Sequence, residues 1–154
     1  MAGPLGLDWQ PTDVEESNFI SIRAWSATSD AQIRPPLLLD ATSPGWARGL
    51  GHWDAILLVN LLHLIPTPSA RTLLAEVAQA LVPGGTFCLY GPFLRDGQAT
   101  SPGDQAFDAS LRSQDPSIGY KDLEWVTGQL GEHGLITRII EMPANNLMLV
   151  ARRV

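Results

Sequence analysis

The sequence predicts an α/β protein, and the stretch from Trp53 to Phe93 carries most of that prediction. Residues Ala55–Val59 form an apolar run, which is typical of a strand buried on both faces in a parallel sheet. The next segment places apolar residues four apart on one helical face, and Pro83-Gly84-Gly85 ends it. Thr86–Tyr90 is a second apolar strand. Because strand, helix and strand follow in this order, we expect a right-handed crossover between parallel strands.

The rest of the chain divides into short elements by the same patterns. Asp13, with Glu16 three residues later, has the spacing of a capping box at the start of a helix that reaches about residue 27. The residues expected on the inner side of this helix are Phe19, Ile22 and Trp25. In chain order, the further predicted elements are strands at 7–10 and 37–39, helices at 104–113 and 122–133, and strands at 136–140 and 147–151.

The connections between these elements indicate how the chain is organised. The turn at Pro143–Asn146 is so short that the two strands it joins must be antiparallel. The long segment 94–121 is typical of a lid or binding loop, and residues 1–6 are predicted to be an arm. We therefore expect a single domain covering residues 1–154, with a mostly parallel sheet and a C-terminal antiparallel hairpin.

The composition of the chain indicates which class of partner it binds and in which compartment it is located. The 154 residues include 10 Lys and Arg against 16 Asp and Glu, and the net charge of −6 argues against nucleic acid as the main partner. The single cysteine, Cys88, lies in an apolar strand and is interpreted as a buried thiol in a reducing compartment. No apolar run is long enough for a membrane helix and the first residues do not resemble a signal peptide, so a cytoplasmic location is expected.

Two acidic residues follow short apolar strands. Asp13 comes after the first predicted strand, and Asp40 follows the strand at 37–39. Ligands of open α/β sheets bind at the carboxyl ends of strands, where an acidic side chain can accept hydrogen bonds from ribose hydroxyls or an adenine amino group. The simpler interpretations are a helix cap for Asp13 and a turn-former for Asp40. Taken together with Asn60 after a further strand, the pattern favours an adenosine-type ligand.

The strand ends of the central unit carry the candidate catalytic and substrate residues. Asn60 and His63 follow one strand and Tyr90-Gly91-Pro92-Phe93 follows the next, so both clusters are expected to open onto one crevice. His63 is either a structural histidine or a base that deprotonates the substrate. Asn145-Asn146 is either a turn pair or a substrate contact. No metal site is predicted, because the histidines and Cys88 do not have metal-ligand spacing.

The residues that carry this pattern resemble class I S-adenosylmethionine-dependent methyltransferases, specifically the group that contains methyltransferase-like protein 26. The segments that carry the resemblance are W-Q-P-T-D (9–13), L-D-A-T (39–42), N-L-L-H-L-I-P (60–66), L-Y-G-P-F (89–93), F-D-A-S-L-R-S-Q-D-P (107–116) and M-P-A-N-N (142–146). The resemblance implies a Rossmann-like sheet of seven strands and S-adenosyl-L-methionine as cofactor. It further implies that Asp13 holds the ribose, Asp40-Ala41 the adenine and Asn60 the methionine portion, with Tyr90 near the substrate.

The sequence departs from this family at its start. Such proteins begin with a strand, a glycine-rich turn and a helix, whereas this chain starts at about the second strand. An N-terminally truncated domain with exposed strand edges is therefore expected.

The sequence is compatible with three functions. The first is a methyltransferase that acts on a small molecule, with Asn60, His63 or Tyr90 positioning or deprotonating the acceptor and with Pro92, Asn145 and Asn146 as further substrate contacts. The second is a non-catalytic interaction or regulatory module, in which a partner or a second copy covers the exposed sheet edge. The third, a nicotinamide-dependent oxidoreductase, is disfavoured because the G-x-G-x-x-G turn is absent and Tyr120 and Lys121 are adjacent in sequence.

Overall fold

The computed structural model of the protein describes residues 6–154. The described chain divides after Ala41 into two compact units. Residues 1–5, most of the predicted arm, lie outside the described residues. The strands are β1 (Asp8–Trp9), β2 (Thr12–Asp13), β3 (Gln32–Ile33), β4 (Leu37–Leu38), β5 (Trp53–Val59), β6 (Leu81–Gly91), β7 (Leu135–Glu141) and β8 (Leu147–Arg153). The helices are α1 (Phe19–Ser26), α2 (Trp46–Leu50), α3 (Thr67–Ala80), α4 (Pro102–Gln114) and α5 (Leu123–Glu132).

The first unit is a parallel strand pair joined by a helix. β1 pairs with β3 and β2 pairs with β4, in both cases parallel, and α1 connects the two sides. Pro11 separates β1 from β2, and Pro35-Pro36 separates β3 from β4. Because proline has no backbone N–H to donate, it interrupts the ladder of hydrogen bonds and divides each side into two short strands.

Three details of this unit differ from the sequence predictions. Asp13 does not form a capping box, because its carboxylate accepts hydrogen bonds from the Glu15 backbone N–H (2.8 Å) and the Asn18 side chain (3.1 Å) ahead of α1. Trp25, expected on the inner side of the helix, is 76% exposed, whereas Phe19 is buried. Strand β4 is exposed rather than buried, with Leu38 61% accessible.

The second unit is built on a four-stranded sheet in the order β5-β6-β8-β7. β5 and β6 are parallel and are joined through α3, as the central strand-helix-strand pattern predicts. β8 is antiparallel to both β6 and β7, which confirms the C-terminal antiparallel hairpin. Hydrogen bonds group the described strands into sheets of two, two and four, rather than into the single seven-stranded sheet that the resemblance implies.

One face of this sheet forms the core of the second unit. The largest fully buried side chains come from the sheet and from α3 and α5, namely Leu73, Leu74, Leu81, Phe87, Leu89, Val126, Leu130, Leu147 and Leu149. On β5, by contrast, Leu57 is 41% exposed and Val59 is 50% exposed. The prediction that this strand is buried on both faces is therefore wrong for the described residues.

Pro83-Gly84-Gly85 lies inside β6 rather than in a turn before it. Helix α3 ends at Ala80, and the pairing with β5 shifts register between Trp53, opposite Leu81, and Ala55, opposite Thr86. A side chain at Gly85 would place its Cβ 2.9 Å from the Val82 carbonyl oxygen and 3.2 Å from that of Trp53. The irregular start of β6 therefore depends on a glycine that lets the backbones approach closely.

The last turn has the geometry that Asn favours. Ala144 and Asn145 both have left-handed backbone conformations, with φ of +58° and +60°, and the Met142 N–H donates to the Asn146 carbonyl at 3.0 Å. Left-handed residues match the twist of a hairpin. None of the helices formed by residues 6–154 is both long enough and apolar enough to cross a membrane.

Candidate functional site

Two carboxylates stand at the same end of the parallel strands in the first unit. Asp13 ends β2 and is paired with Leu38 of β4, and its carbonyl accepts a hydrogen bond from the Leu39 N–H at 2.9 Å. Asp40 and Ala41 follow directly. The carboxyl ends of adjacent parallel strands thus bring Asp13 and Asp40-Ala41 to one edge. Carboxylates at this edge fit the hydrogen-bonding groups of an adenosine moiety.

In the second unit, the carboxyl end of β5 lies beside that of β6. The Asn60 N–H donates to the Tyr90 carbonyl at 2.9 Å, and Asn60 adopts a left-handed conformation with φ of +53°. Asparagine tolerates this conformation better than most residues. Its side-chain oxygen lies over Gly91, 3.6 Å from where a Cβ would stand. Tyr90 and Pro92 are half-buried and Asn60 is exposed. Asn60 and Tyr90 therefore lie side by side at these strand ends, as the sequence predicts.

His63 lies in an aromatic cluster. Its side chain is buried, and its ring centroid lies 5.9 Å from that of Phe107 and 5.9 Å from that of Tyr120, both in edge-to-face contact. Phe107, by contrast, is 46% exposed. Burial, followed by the nearby ammonium of Lys121, lowers the pKa of His63 below its usual value. The imidazole is therefore neutral at neutral pH, which is the state that can accept a proton.

The segment Gly119–Lys121, called the anchor segment here, holds the loops that follow β5 and β6. The Gly119 N–H donates to the His63 carbonyl at 2.9 Å, and the Lys121 ammonium donates to the carbonyls of Ile65 and Gly119 at 2.8 Å each. On the other side, the Leu94 N–H donates to the Lys121 carbonyl at 2.9 Å. Burial and then the charge of Arg112 lower the pKa of Lys121 to about 8, although a nearby carboxylate opposes the shift.

Asp104 at the start of α4 accepts hydrogen bonds from several side chains. Its donors are the hydroxyls of Ser101 (2.7 Å), Tyr120 (3.1 Å) and Thr100 (3.2 Å) and the amide of Asn145 (3.1 Å). Burial by itself would raise the pKa of Asp104, but these hydrogen bonds outweigh it and leave the pKa lowered. Burial and the bond to Asp104 raise the pKa of Tyr120, so its hydroxyl stays protonated.

The structure thus separates the predicted substrate residues into two groups. Asn60, Tyr90 and Pro92 come together at the strand ends, whereas the Asn145 amide is bound to Asp104 on α4. The Asn146 side chain donates within its own turn, to the Pro143 carbonyl at 3.4 Å. Sequence reasoning missed Asp104, Tyr120 and Lys121 as members of one cluster. The available signal was Ser101 with Asp104 three residues later, which is capping-box spacing.

A shallow surface pocket of about 430 Å³ lies between α4 and the segment after β6. Its polar lining includes Asp108 and Arg112, which form an ion pair with each other at 2.9 Å and also hydrogen-bond to the backbone of Tyr120. None of the predicted site residues lines this pocket. Within residues 6–154, no three His, Cys, Asp or Glu side chains come together as a metal-binding group.

Several solved structures share this fold. An O-methyltransferase family protein from Burkholderia thailandensis superposes with a TM-score of 0.80 at 17% identity, over 96% of this chain and 44% of that one. Human N-acetylserotonin methyltransferase, solved in complex with SAM, matches with a TM-score of 0.78 at 15% identity, over 97% and 41%. An O-methyltransferase family 2 protein from Planctomyces limnophilus, in complex with apigenin, matches with a TM-score of 0.79 at 19% identity, over 96% and 43%.

The chain therefore has the α/β fold of O-methyltransferase family proteins, with parallel strands and a C-terminal antiparallel strand set. It spans less than half the length of each of these structures. At the level of sequence, the model of the family described as "Protein of unknown function (DUF938)" matches residues 5–153. Because that match covers nearly the whole chain, the protein belongs to the DUF938 family.

Proposed function

We propose that the protein is an S-adenosylmethionine-dependent methyltransferase that acts on a small-molecule acceptor, within the group that includes methyltransferase-like protein 26. The observation that carries the proposal is the placement of Asp13 and Asp40 at the carboxyl ends of adjacent parallel strands. The fold supports it, since the similar structures include a methyltransferase solved with SAM and a protein solved with SAH. The net charge of −6 favours a small acceptor over nucleic acid.

Different residues would hold different parts of the cofactor. The Asp13 carboxylate would accept hydrogen bonds from the ribose hydroxyls, and Asp40-Ala41 would hold the adenine. Asn60 would lie beside the methionine portion. When bound, S-adenosylmethionine supplies an electrophilic methyl group on a sulfonium. The residues contribute to the reaction chiefly by holding the reactants in line.

We assign the handling of the acceptor to the strand ends of the second unit. His63 is neutral at neutral pH and would take the proton of an acceptor hydroxyl or amine. Phe107, whose ring covers one side of His63, is itself half exposed, so the imidazole lies directly beneath the surface. Tyr90 and Pro92 would contact the acceptor beside Asn60. Asn145 and Asn146 would contact it at a distance from the reacting atoms.

Calorimetric titration with S-adenosylhomocysteine tests the cofactor assignment. Replacing Asp40 by Asn removes a charged acceptor, which is worth about 1.5–3 kcal/mol and therefore weakens binding roughly 10- to 150-fold. Asp13→Asn is expected to weaken binding similarly while keeping a side-chain oxygen for the Glu15 N–H. The exposed neighbour Glu15→Gln is the control and should bind as the wild type does. Unchanged affinity in both aspartate variants would refute the assignment.

A second candidate function is a non-catalytic interaction module. It is favoured by β5, which ends the four-stranded sheet of the second unit and exposes Leu57 and Val59. At the other end of this sheet, Ile136 of β7 is 68% exposed. Exposed apolar edge strands invite pairing with another chain. Cofactor binding without methyl transfer, together with self-association that Leu57→Lys abolishes, would favour this function over the first.

The compartment that we propose is the cytoplasm. Cys88 is a free, half-buried thiol, and burial raises its pKa, so little of it is the reactive thiolate at neutral pH. A single free thiol of this kind is compatible with a reducing environment. Microscopy of a fluorescent fusion would test the location.

A further inference from the structure

The anchor segment fastens two loops that both carry proposed site residues. Through the Gly119 N–H and the Lys121 ammonium it holds the carbonyls of His63 and Ile65, in the loop after β5. Through the Lys121 carbonyl it holds the N–H of Leu94, in the loop after β6. Through these hydrogen bonds, the anchor segment connects the loop after β5 to the loop after β6.

The cation of the anchor segment, Lys121, is unusual because it is the chain's single lysine and because it is buried. Lys121 is the only lysine among the 154 residues, and its side chain is buried at 6% exposure. Its ammonium donates to the carbonyl oxygens of Ile65 and Gly119. Burying a charge is costly, and hydrogen bonds to neutral carbonyls offset that cost only in part. An apolar residue would fill this place at lower cost, so the charge itself calls for an explanation.

We infer that Lys121 is a positioning residue for His63: its buried ammonium holds the loop after β5 against the anchor segment and keeps the imidazole fixed and uncharged between Phe107 and Tyr120. The consequence for catalysis rests on the proposed function, in which His63 takes the proton of the acceptor. The structural link between Lys121 and His63 does not depend on it.

The charged groups around His63 support this assignment. Lys121 repels a protonated imidazole and so lowers the pKa of His63, in addition to the larger effect of burial. On α4, the Asp104 carboxylate is occupied by hydroxyl and amide donors, one of them Tyr120. The Asp108 carboxylate is occupied by Arg112 and by the Tyr120 N–H. Lys121 is thus the charge that acts directly on His63.

Wild-type protein labelled with ¹³C at lysine and histidine tests the inference by NMR. Because the chain has one lysine, its Cε signal reports Lys121 without assignment, and we expect it to titrate near pH 8. The ring signal of His63, identified by its loss in His63→Asn, should show a second inflection at the same pH as Lys121 loses its charge. A lysine that titrates at the ordinary value, or a His63 signal with no inflection there, would overturn the inference.

Two substitutions of Lys121 separate its charge from its packing. Lys121→Met keeps an unbranched stem without the charge, and we expect the pKa of His63 to rise toward its ordinary value. Lys121→Arg keeps the charge and should leave the pKa of His63 lowered. An unchanged pKa in a folded Lys121→Met protein contradicts the inference, and if that variant does not fold, the wild-type titration decides.

The same samples distinguish the inference from the proposed function. If wild-type protein transfers no methyl group but shows the coupled titration, the positioning role stands and the function fails. If methyl transfer occurs, its pH for half-maximal rate should rise in Lys121→Met by the shift that NMR measures for His63. A rate profile that does not move while the pKa of His63 does would remove His63 as the base.

Discussion

At the scale of single residues, the buried carboxylate of Glu76 shows which polar contacts matter for stability. Its two oxygens accept hydrogen bonds from the N–H groups of Gly45 (2.7 Å) and Ala47 (2.8 Å), at the start of α2. The ion pair of Asp8 with Arg34 is exposed to solvent. Water screens an exposed pair, whereas buried N–H groups that lose their acceptor have no substitute. Glu76 therefore contributes more than the exposed pair.

Glu76→Gln is expected to lower the free energy of unfolding by about 1–3 kcal/mol, since one N–H at the start of α2 loses its charged acceptor. Urea denaturation followed by circular dichroism measures the change. Asp8→Asn is the control and should be indistinguishable from the wild type. Equal effects in the two variants would contradict this ranking.

Gly119 is a second residue whose replacement should lower the free energy of unfolding. It has a φ of +131°, and an added Cβ would lie 2.7 Å from both Asp108 Oδ1 and Arg112 Cζ. Gly119→Ala is therefore expected to destabilise the protein and to raise the pKa of His63, because the anchor segment must move. Gly128 lies within α5 with nothing near its Cβ position, so Gly128→Ala should stabilise by roughly 0.5–1 kcal/mol. Thermal unfolding of both variants tests the contrast.

At the scale of elements, capping residues in the sequence predict where a helix begins and ends. A very short helix and an irregular strand start are not predicted, because no local pattern marks them. α5 is capped at its start by Asp122, whose side chain accepts from the Glu124 N–H, and is followed by Gly134 with φ of +77°, as the sequence predicts. α2 is not among the elements predicted from sequence, because its five residues contain no periodic repeat. The register shift in β6 was missed since Pro83-Gly84-Gly85 is also the usual end of a helix.

The hydrogen bonds of Asp104 join α4 to the β7–β8 hairpin through Asn145. We expect Asp104→Ala to speed amide hydrogen exchange in α4 and in the hairpin turn by more than tenfold, because four donors lose one acceptor. Gln105→Ala, at the exposed neighbouring position, should leave both rates unchanged. Mass spectrometry measures the exchange rates. If Asp104→Ala speeds exchange in α4 but not in the hairpin turn, Asp104 does not connect the two elements.

At the scale of the whole molecule, the stability of the fold should depend on pH through His63. Its pKa is lowered in the folded state, so its contribution is fully present above the unfolded value of about 6.5 and is lost as pH falls through the folded value. His63→Gln should therefore flatten the loss of stability below about pH 6.5. Urea midpoints from pH 7 to pH 5 measure it, with exposed His52→Gln as the control. Parallel curves for the two variants would argue against a buried neutral His63.

The sequence predicted that Asn60 and Tyr90 lie side by side at two strand ends, but not which faces are covered. The Asn60–Tyr90 hydrogen bond agrees with this, because the carboxyl ends of parallel strands meet at one edge. The parts that these residues play in a reaction stay predictions. The exposure of Leu57 and Val59 could not be predicted, since an apolar run reports only that a strand suits burial, not what packs on it. The interaction of Asn145 with Asp104 joins residues far apart in sequence, and no local pattern encodes it.

The strand order of the second unit has a consequence for biosynthesis. β8 is the last of these strands to leave the ribosome, yet in the sheet it lies between β6 and β7. Until β8 emerges, β6 keeps an unpaired edge and β7 has no strand to pair with, so the nascent chain exposes two open ladders at once. Completion of this sheet therefore waits for β8, and chaperone binding to ribosome-bound intermediates that end before Leu147 is the expected sign of it.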